Sequence, residues 1–499
     1  DEYFPRYIDE NKEEIEQFPR ILFTDSVFFK AYIKELERMS QKEYLDKLFA
    51  DLDKELKKEI NILHKDYPYY HFSEQVFYDN QKFIQSVLNP VKGVNAYVNK
   101  IENGKATILV GNIVKMPLII EGLLVNETIV AETYELLQPF DGNFVDYKKI
   151  EFNLRENIDE TQLRLLRINY RILGSSKVNG NEVLPWDYLN DSIMNDTVRK
   201  KVESSSEILD VNENEKIITI KQGNWVLDNT LVIPKGYKVL GENSVIDLVN
   251  KAMIVSYSDL QFNNVKVISS DKTGEGLLVY NSKVNFENVE FRDLNAPVKD
   301  SFQLTGAITF YESEVNFENV LIKGMKNGDD SANFVRSKIN IKNSRVEDGS
   351  ADCLDGDFVT GVIDDFVVMN CGGDGLDFSG SSIEVRNFKA ENVGDKGMSV
   401  GENSSVLAFN VIVDKAFIGV ASKDLSKLVI DGLKINNVKY GFAVYMKKTE
   451  YGAASLIAKN AVVDAENNYI VEKDSSLEVN GKIILDNKKK VYEKLYPVK

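Results

Sequence analysis

Apolar positions along this chain change period twice. Through residues 1–90 they recur three and four apart. The stretch Asp25-Ser-Val-Phe-Phe-Lys-Ala-Tyr-Ile-Lys-Glu-Leu-Glu-Arg-Met39 shows this, as does Ser40 to Leu63, and both predict amphipathic helices. Ser40 with Glu43 reads as a capping box, and Tyr67-Pro-Tyr-Tyr-His-Phe72 as aromatic core between helices. Over 91–175 the pattern becomes alternation, in Ala106 to Val114, Leu118 to Val125 and Leu163 to Ile172. Asn and Gly punctuate these runs, which predicts a small β-sandwich. Residues 176–214 are polar and read as a linker with one helical turn.

From 215 to 485 the alternation becomes a repeat, followed by a tail at 486–499. Aligned on apolar-x-apolar-x-Asn, the chain gives one column: Asn264, Asn288, Asn319, Asn343, Asp365, Asn387, Asn410, Gly432, Asn460 and Gly481. A period near 22 with short alternating strands is a solenoid signature. The leucine-rich string Leu-x-x-Leu-x-Leu-x-x-Asn never appears, and Val, Ile, Phe, Asn and Gly fit three short strands per coil. Asn and Asp suit the column because they tolerate the left-handed conformation and can bond from coil to coil.

The entry segments Ile218-Thr-Ile-Lys-Gln-Gly-Asn-Trp-Val-Leu227 and Leu231-Val-Ile-Pro-Lys-Gly-Tyr-Lys-Val-Leu240 resemble the first coil of pectate-lyase-like proteins. The resemblance implies a right-handed parallel β-helix of roughly ten coils, so the expected fold is mainly β. That fold hosts lyases, hydrolases, epimerases and inert adhesins, so it does not choose an activity. The helical segment before residue 90 resembles the C-terminal tail of CotH-like kinase proteins. It holds no kinase motif, so no kinase activity carries over.

Composition narrows the chemistry. Of 499 residues, 43% are hydrophobic and 28% charged, with a net charge of −17. A chain this acidic is a poor bulk partner for nucleic acid or an anionic membrane. No run of 18 apolar residues exists, so no membrane span is expected. The only histidines are His64 and His71, so chemistry in the repeat proceeds without imidazole. Cys353 and Cys371 make no disulfide framework and no zinc spacing, and read as buried free thiols. The chain opens on Asp1, which reads as a processed or recombinant form.

A second register marks a site. The repeats read Asp330-Ser-Ala-Asn333, Asp352-Cys-Leu-Asp355, Asp374-Gly-Leu-Asp377 and Lys396-Gly-Met-Ser399. Ala332, Leu354, Leu376 and Met398 belong to the inward row, so Asn333, Asp355, Asp377 and Ser399 point outward. Coils lie about 4.8 Å apart, and two like charges at that distance cost roughly 3 kcal/mol at an effective dielectric of 20. Asp330, Asp352, Asp355, Asp374 and Asp377 therefore need protons, a cation or a basic neighbour. Lys396 lies in line with Asp374, and Arg345, Arg386 and Lys389 are further cations on these coils. Other coils carry Gly306, Thr309, Ile418 and Ala421 at these positions, so the charged register is local.

The five aspartates form an oxygen-only set suited to Ca2+. Calcium beside a lysine suits proton abstraction from an acidic polysaccharide, by elimination or C5 epimerisation, with Lys396, Asp374 and Asp377 as catalytic residues. Some pectate-lyase families place Asp-bound calcium beside a basic residue, and this cluster is similar. The alternatives are hydrolysis by paired carboxylates among Asp355, Asp374 and Asp377, and a non-catalytic exopolysaccharide-binding surface protein. All three imply an extracellular or cell-surface setting, with residues 1–200 offered to a protein partner.

Overall fold

The computed structural model describes residues 22–23, 25–141, 145–156, 158–184, 207–299 and 302–497. Residues 1–21 of the expected helical region and 185–206 of the expected linker lie outside it. The chain divides into two compact units, Asp1–Asn190 and Asp191–Lys499. No helix among the described residues is long and apolar enough to cross a membrane.

The first unit opens with helices α1 (Ser26–Met39), α2 (Lys42–Leu63) and α3 (Gln75–Leu88). Asp25 caps α1, its carboxylate accepting from the Val27 and Phe28 amides at 2.9 and 2.8 Å. The expected Ser40 box does not form. Ser40 instead ends α1, its hydroxyl donating to the Glu37 carbonyl at 2.9 Å. The aromatic run is also not core: Tyr69 is 98% exposed, and only Phe72 packs, against Phe49 and Phe77. Two antiparallel sheets follow, of three and four strands, and share one buried core as expected of a sandwich.

The second unit is a right-handed parallel β-helix of about 12 turns, somewhat longer than the repeat count predicts. All ten positions of the Asn column have positive φ, from 48° at Asn343 to 80° at Gly432. Amides stack where two Asn meet: Asn264 donates to Asn243 at 2.6 Å, Asn319 to Asn288 at 2.6 Å and Asn410 to Asn387 at 3.1 Å. Leu354, Leu376, Met398 and Val420 stack inside as consecutive register partners, all fully buried.

Two expectations are corrected here. Cys353 and Cys371 are joined in a disulfide inside the β-helix core, not free thiols. Closing a loop of this separation, 18 residues, stabilises by about 3 kcal/mol in the chain-entropy view. The terminal segment is not a tail either. It forms helix α4 (Val491–Leu495), whose Val491 and Leu495 are buried against Ile418, Ala421, Ala443, Tyr445 and Ile470. Those apolar residues face outward because α4 covers them.

Candidate functional site

Four successive strands build the site: β1 (Asp330–Val335), β2 (Asp352–Asp357), β3 (Leu376–Ser379) and β4 (Lys396–Gly401). Their parallel register pairs Asp330 with Asp352, Asn333 with Asp355, Asp355 with Asp377, and Asp377 with Ser399. Asp357 adds a sixth carboxylate in a third outward row. The rows point away from the core as expected, but they are not a free surface. Asp330, Asn333, Asp374, Lys396 and Ser399 are all buried, while Asp352, Asp355, Asp357 and Asp377 are half-buried.

Asp352, Asp374 and Asp377 converge, each offering an oxygen within 4.8 Å of the others. Asp355 and Asp330 are not in that set. Both are held by Asn333, whose amide donates to Asp355 Oδ2 at 2.7 Å and to Asp330 Oδ2 at 3.3 Å. Asp352 Oδ1 accepts the Asp374 amide at 2.5 Å. Arg345, Arg386 and Lys389 stay outside, each paired with a glutamate on its own strand: Glu347, Glu384 and Glu391.

Crowding and burial set the protonation. Burial, then the charge of Asp374, pushes the Asp352 carboxyl up to about 8. Burial likewise lifts Asp330 to about 7, helped by Asp329 and Asp357. Asp357 rises to about 6 through burial and the charge of Glu402. Asp355 is raised well above the carboxylate range by burial and by its aspartate neighbours. Asp374 reaches only about 6, because Lys396 opposes its burial.

Lys396 does not have the environment of a base. Its ammonium donates to Asp374 Oδ1 and Oδ2 at 3.0 and 3.1 Å and to Asp395 Oδ2 at 2.5 Å. Burial disfavours the charge, yet the two carboxylates outweigh it and hold the ammonium above the usual lysine range. A lysine so held keeps its proton. Its place is charge compensation.

The sequence reading missed four groups that shape the site. Asp395 and Tyr496 complete the lysine's surroundings: the Tyr496 hydroxyl donates to Asp395 at 2.8 and 3.0 Å, and its ring lies 5.5 Å from the ammonium. Glu402 raises Asp357, as noted. Lys423, buried, places its ammonium 3.5 Å from Asp377 Oδ1. It passes Gly401, where a Cβ would lie 3.1 Å from Lys423 Cε, so a larger residue there requires the lysine to shift by a few tenths of an ångström. Asp377 Oδ1 is buried and accepts no hydrogen bond.

Two surface grooves lie elsewhere on the β-helix. One, of about 690 Å3, includes Lys415, Phe417 and Lys439; the other, of about 320 Å3, includes Asn285, Asn316 and Asn340.

No family model matches this chain, and no curated protein does. The resemblance of the N-terminal helices to a CotH tail therefore finds no support. Among solved structures, the chain is similar to a double mutant of the periplasmic alginate epimerase AlgG, at 12% identity and a TM-score of 0.34, covering 56% of this chain and 80% of that one. It is also similar to the catalytic domain of a GH87 α-1,3-glucanase, at 10% identity and a TM-score of 0.26, covering 79% and 92%. These likenesses are distant, and the functional reading stands on the side chains.

Proposed function

We propose that the second unit is a polysaccharide-processing enzyme whose carboxylates carry the proton transfers, cleaving a glycosidic bond by hydrolysis. The observation that carries this reading is the convergence of Asp352, Asp374 and Asp377 within 4.8 Å on successive coils. Hydrolysis needs one carboxyl that gives a proton to the leaving oxygen and one carboxylate that attacks or activates water. Asp352, raised by burial and by Asp374, is the donor. Asp377 is the second group, with one oxygen beneath Lys423 and its side chain still 22% exposed. One oxygen of each lies within 4.8 Å of the other, short of the 6.5–9.5 Å roughly needed to seat a water between carboxyls, which favours direct attack by Asp377 with retention of configuration.

A second reading has its own support. The same three carboxylates form an oxygen donor set of the kind Ca2+ prefers, and Asp377 Oδ1, which accepts no hydrogen bond, would exchange its ion pair with Lys423 for the ion. Asp352, Asp374 and Asp377 would hold the ion, with Asp330 and Asp355 at its edge. The ion would supply charge neutralisation for the carboxylate of an acidic polysaccharide undergoing elimination or epimerisation. The Lys396 surroundings leave that reading without its base. The disulfide supports a secreted or surface location under either reading, because such bonds persist in oxidising compartments.

Incubation with neutral and acidic polysaccharides, with and without chelator, tests the proposal. New reducing ends without unsaturation, insensitive to chelator and lost by about 10²-fold or more in Asp352→Asn, are expected. Unsaturated ends that vanish with chelator would replace hydrolysis by the calcium reading. No new ends, with glycan still bound, would leave a binding protein.

A further inference from the structure

The outward rows of the site continue beyond it in an altered form. Lys396 is in register with Ile418, and Ile418 with Tyr440; Ser399 is in register with Ala421, Ala421 with Ala443, and Ala443 with Ile470. One coil past the charged groups, about 4.8 Å on, the face therefore becomes apolar. Helix α4 sits on this apolar stretch, with Val491 and Leu495 buried against it. Tyr496 follows and turns back over the site. Its ring packs on Phe417 at 6.0 Å and lies 5.5 Å from the Lys396 ammonium, and its hydroxyl is fixed by both oxygens of Asp395. Tyr492 stacks on Tyr445 at 6.4 Å and meets Tyr496 at 5.3 Å. The segment is thus tied down by packing and by hydrogen bonds to the site's own charges.

We infer that Val491–Tyr496 is an end wall of the binding face, so that the site takes the end of a glycan chain and not its middle. This rests on the polysaccharide reading above. A chain lying along the rows meets Tyr496 and α4 beside Lys396 and must stop there. The carboxyls that transfer protons lie one and two coils before the wall, so the bond they reach is near the chain end. Tyr496 is the specificity-determining residue of the wall. It owes that role to its ring, since the hydroxyl serves only to pin it to Asp395.

The test compares one glycan in long and short forms at equal mass, at concentrations below saturation. End recognition predicts an initial rate that grows in proportion to chain ends, about tenfold for chains ten times shorter, with a single small product from the start. A rate independent of length, with a spread of oligosaccharides and an early fall in viscosity, would overturn the inference while leaving hydrolysis intact. Tyr496→Ala is expected to add longer products, whereas Tyr496→Phe keeps the wild-type pattern. A separate readout needs no turnover: binding of free-ended and bulky end-blocked forms of the glycan to the Asp352→Asn variant. Free-ended chains should bind and end-blocked chains should not. Equal affinity for both forms would show that no wall stands there. If glycans of every length are neither cut nor bound, the polysaccharide reading falls and the inference with it.

Discussion

Leu376→Asp is expected to unfold the β-helix around the site. Leu376 is fully buried between its register partners Leu354 and Met398. The substitution removes a core side chain, which costs about 2–5 kcal/mol, and places an unpaired carboxylate in the same space, which adds several more. A typical domain has about 5–15 kcal/mol in all. Coils in a solenoid are held only by their neighbours, so breaking one stack opens both sides of it. Far-UV circular dichroism with gel filtration reads the outcome. Leu376→Ala, losing only the cavity and transfer share, should remain folded with a lower urea midpoint. A Leu376→Asp protein with the wild-type midpoint would contradict the inward row.

Replacing Lys396 with Met should destabilise by about 3–5 kcal/mol, the usual consequence of stripping a buried ion pair of one partner. The methionine nearly fills the volume, so packing is not the cause. What remains is Asp374, buried, with Asp395 beside it and no ammonium between them. The loss should depend on pH, and its sign follows from Asp374. That carboxyl is already raised to about 6 with Lys396 present, and goes higher without it. A carboxyl raised in the folded state contributes stability at low pH and loses it as pH rises through the folded value. Urea unfolding should therefore show a larger deficit at about pH 8 than at about pH 5. A catalytic base predicts otherwise: turnover abolished, with stability unchanged at both values.

The solenoid was legible because its signals are periodic. Asn at one position per coil, with apolar residues two and four before it, reports a left-handed bend and an inward row. Every member of that column adopts positive φ. The Asp330, Asp352 and Asp374 row and the Asn333, Asp355 and Asp377 row were legible for the same reason, since residues one period apart become neighbours in register. What escaped was aperiodic. Tyr496 reaches Asp395 across 101 residues, and no repeat relates them. The Cys353–Cys371 separation of 18 falls short of the period, so the pair joins different parts of the coil and matches no row. The cover over Lys396 escaped too, because it comes from Tyr496, just after a terminal helix whose five residues carry no pattern long enough to read. Lys423 sits at a strand end in a third row that only Asp357 shares among the charged groups of the site. Asp395, adjacent in sequence to Lys396, ion-pairs with its ammonium and favours its charged form, and no repeat marks it.

Crowded carboxyls that keep protons at neutral pH are the centre of this account, and infrared spectroscopy observes them directly. In the metal-chelated protein, the carbonyl stretch of protonated carboxylic acids should be present at about pH 7 and fade as pH rises through about 8, where Asp352 titrates. Asp352→Asn should lose part of that band, and Leu376→Ala, which leaves the carboxylates in place, should keep it. A wild-type spectrum with no protonated carboxyl at about pH 7 would contradict the assignment of Asp352 as proton donor.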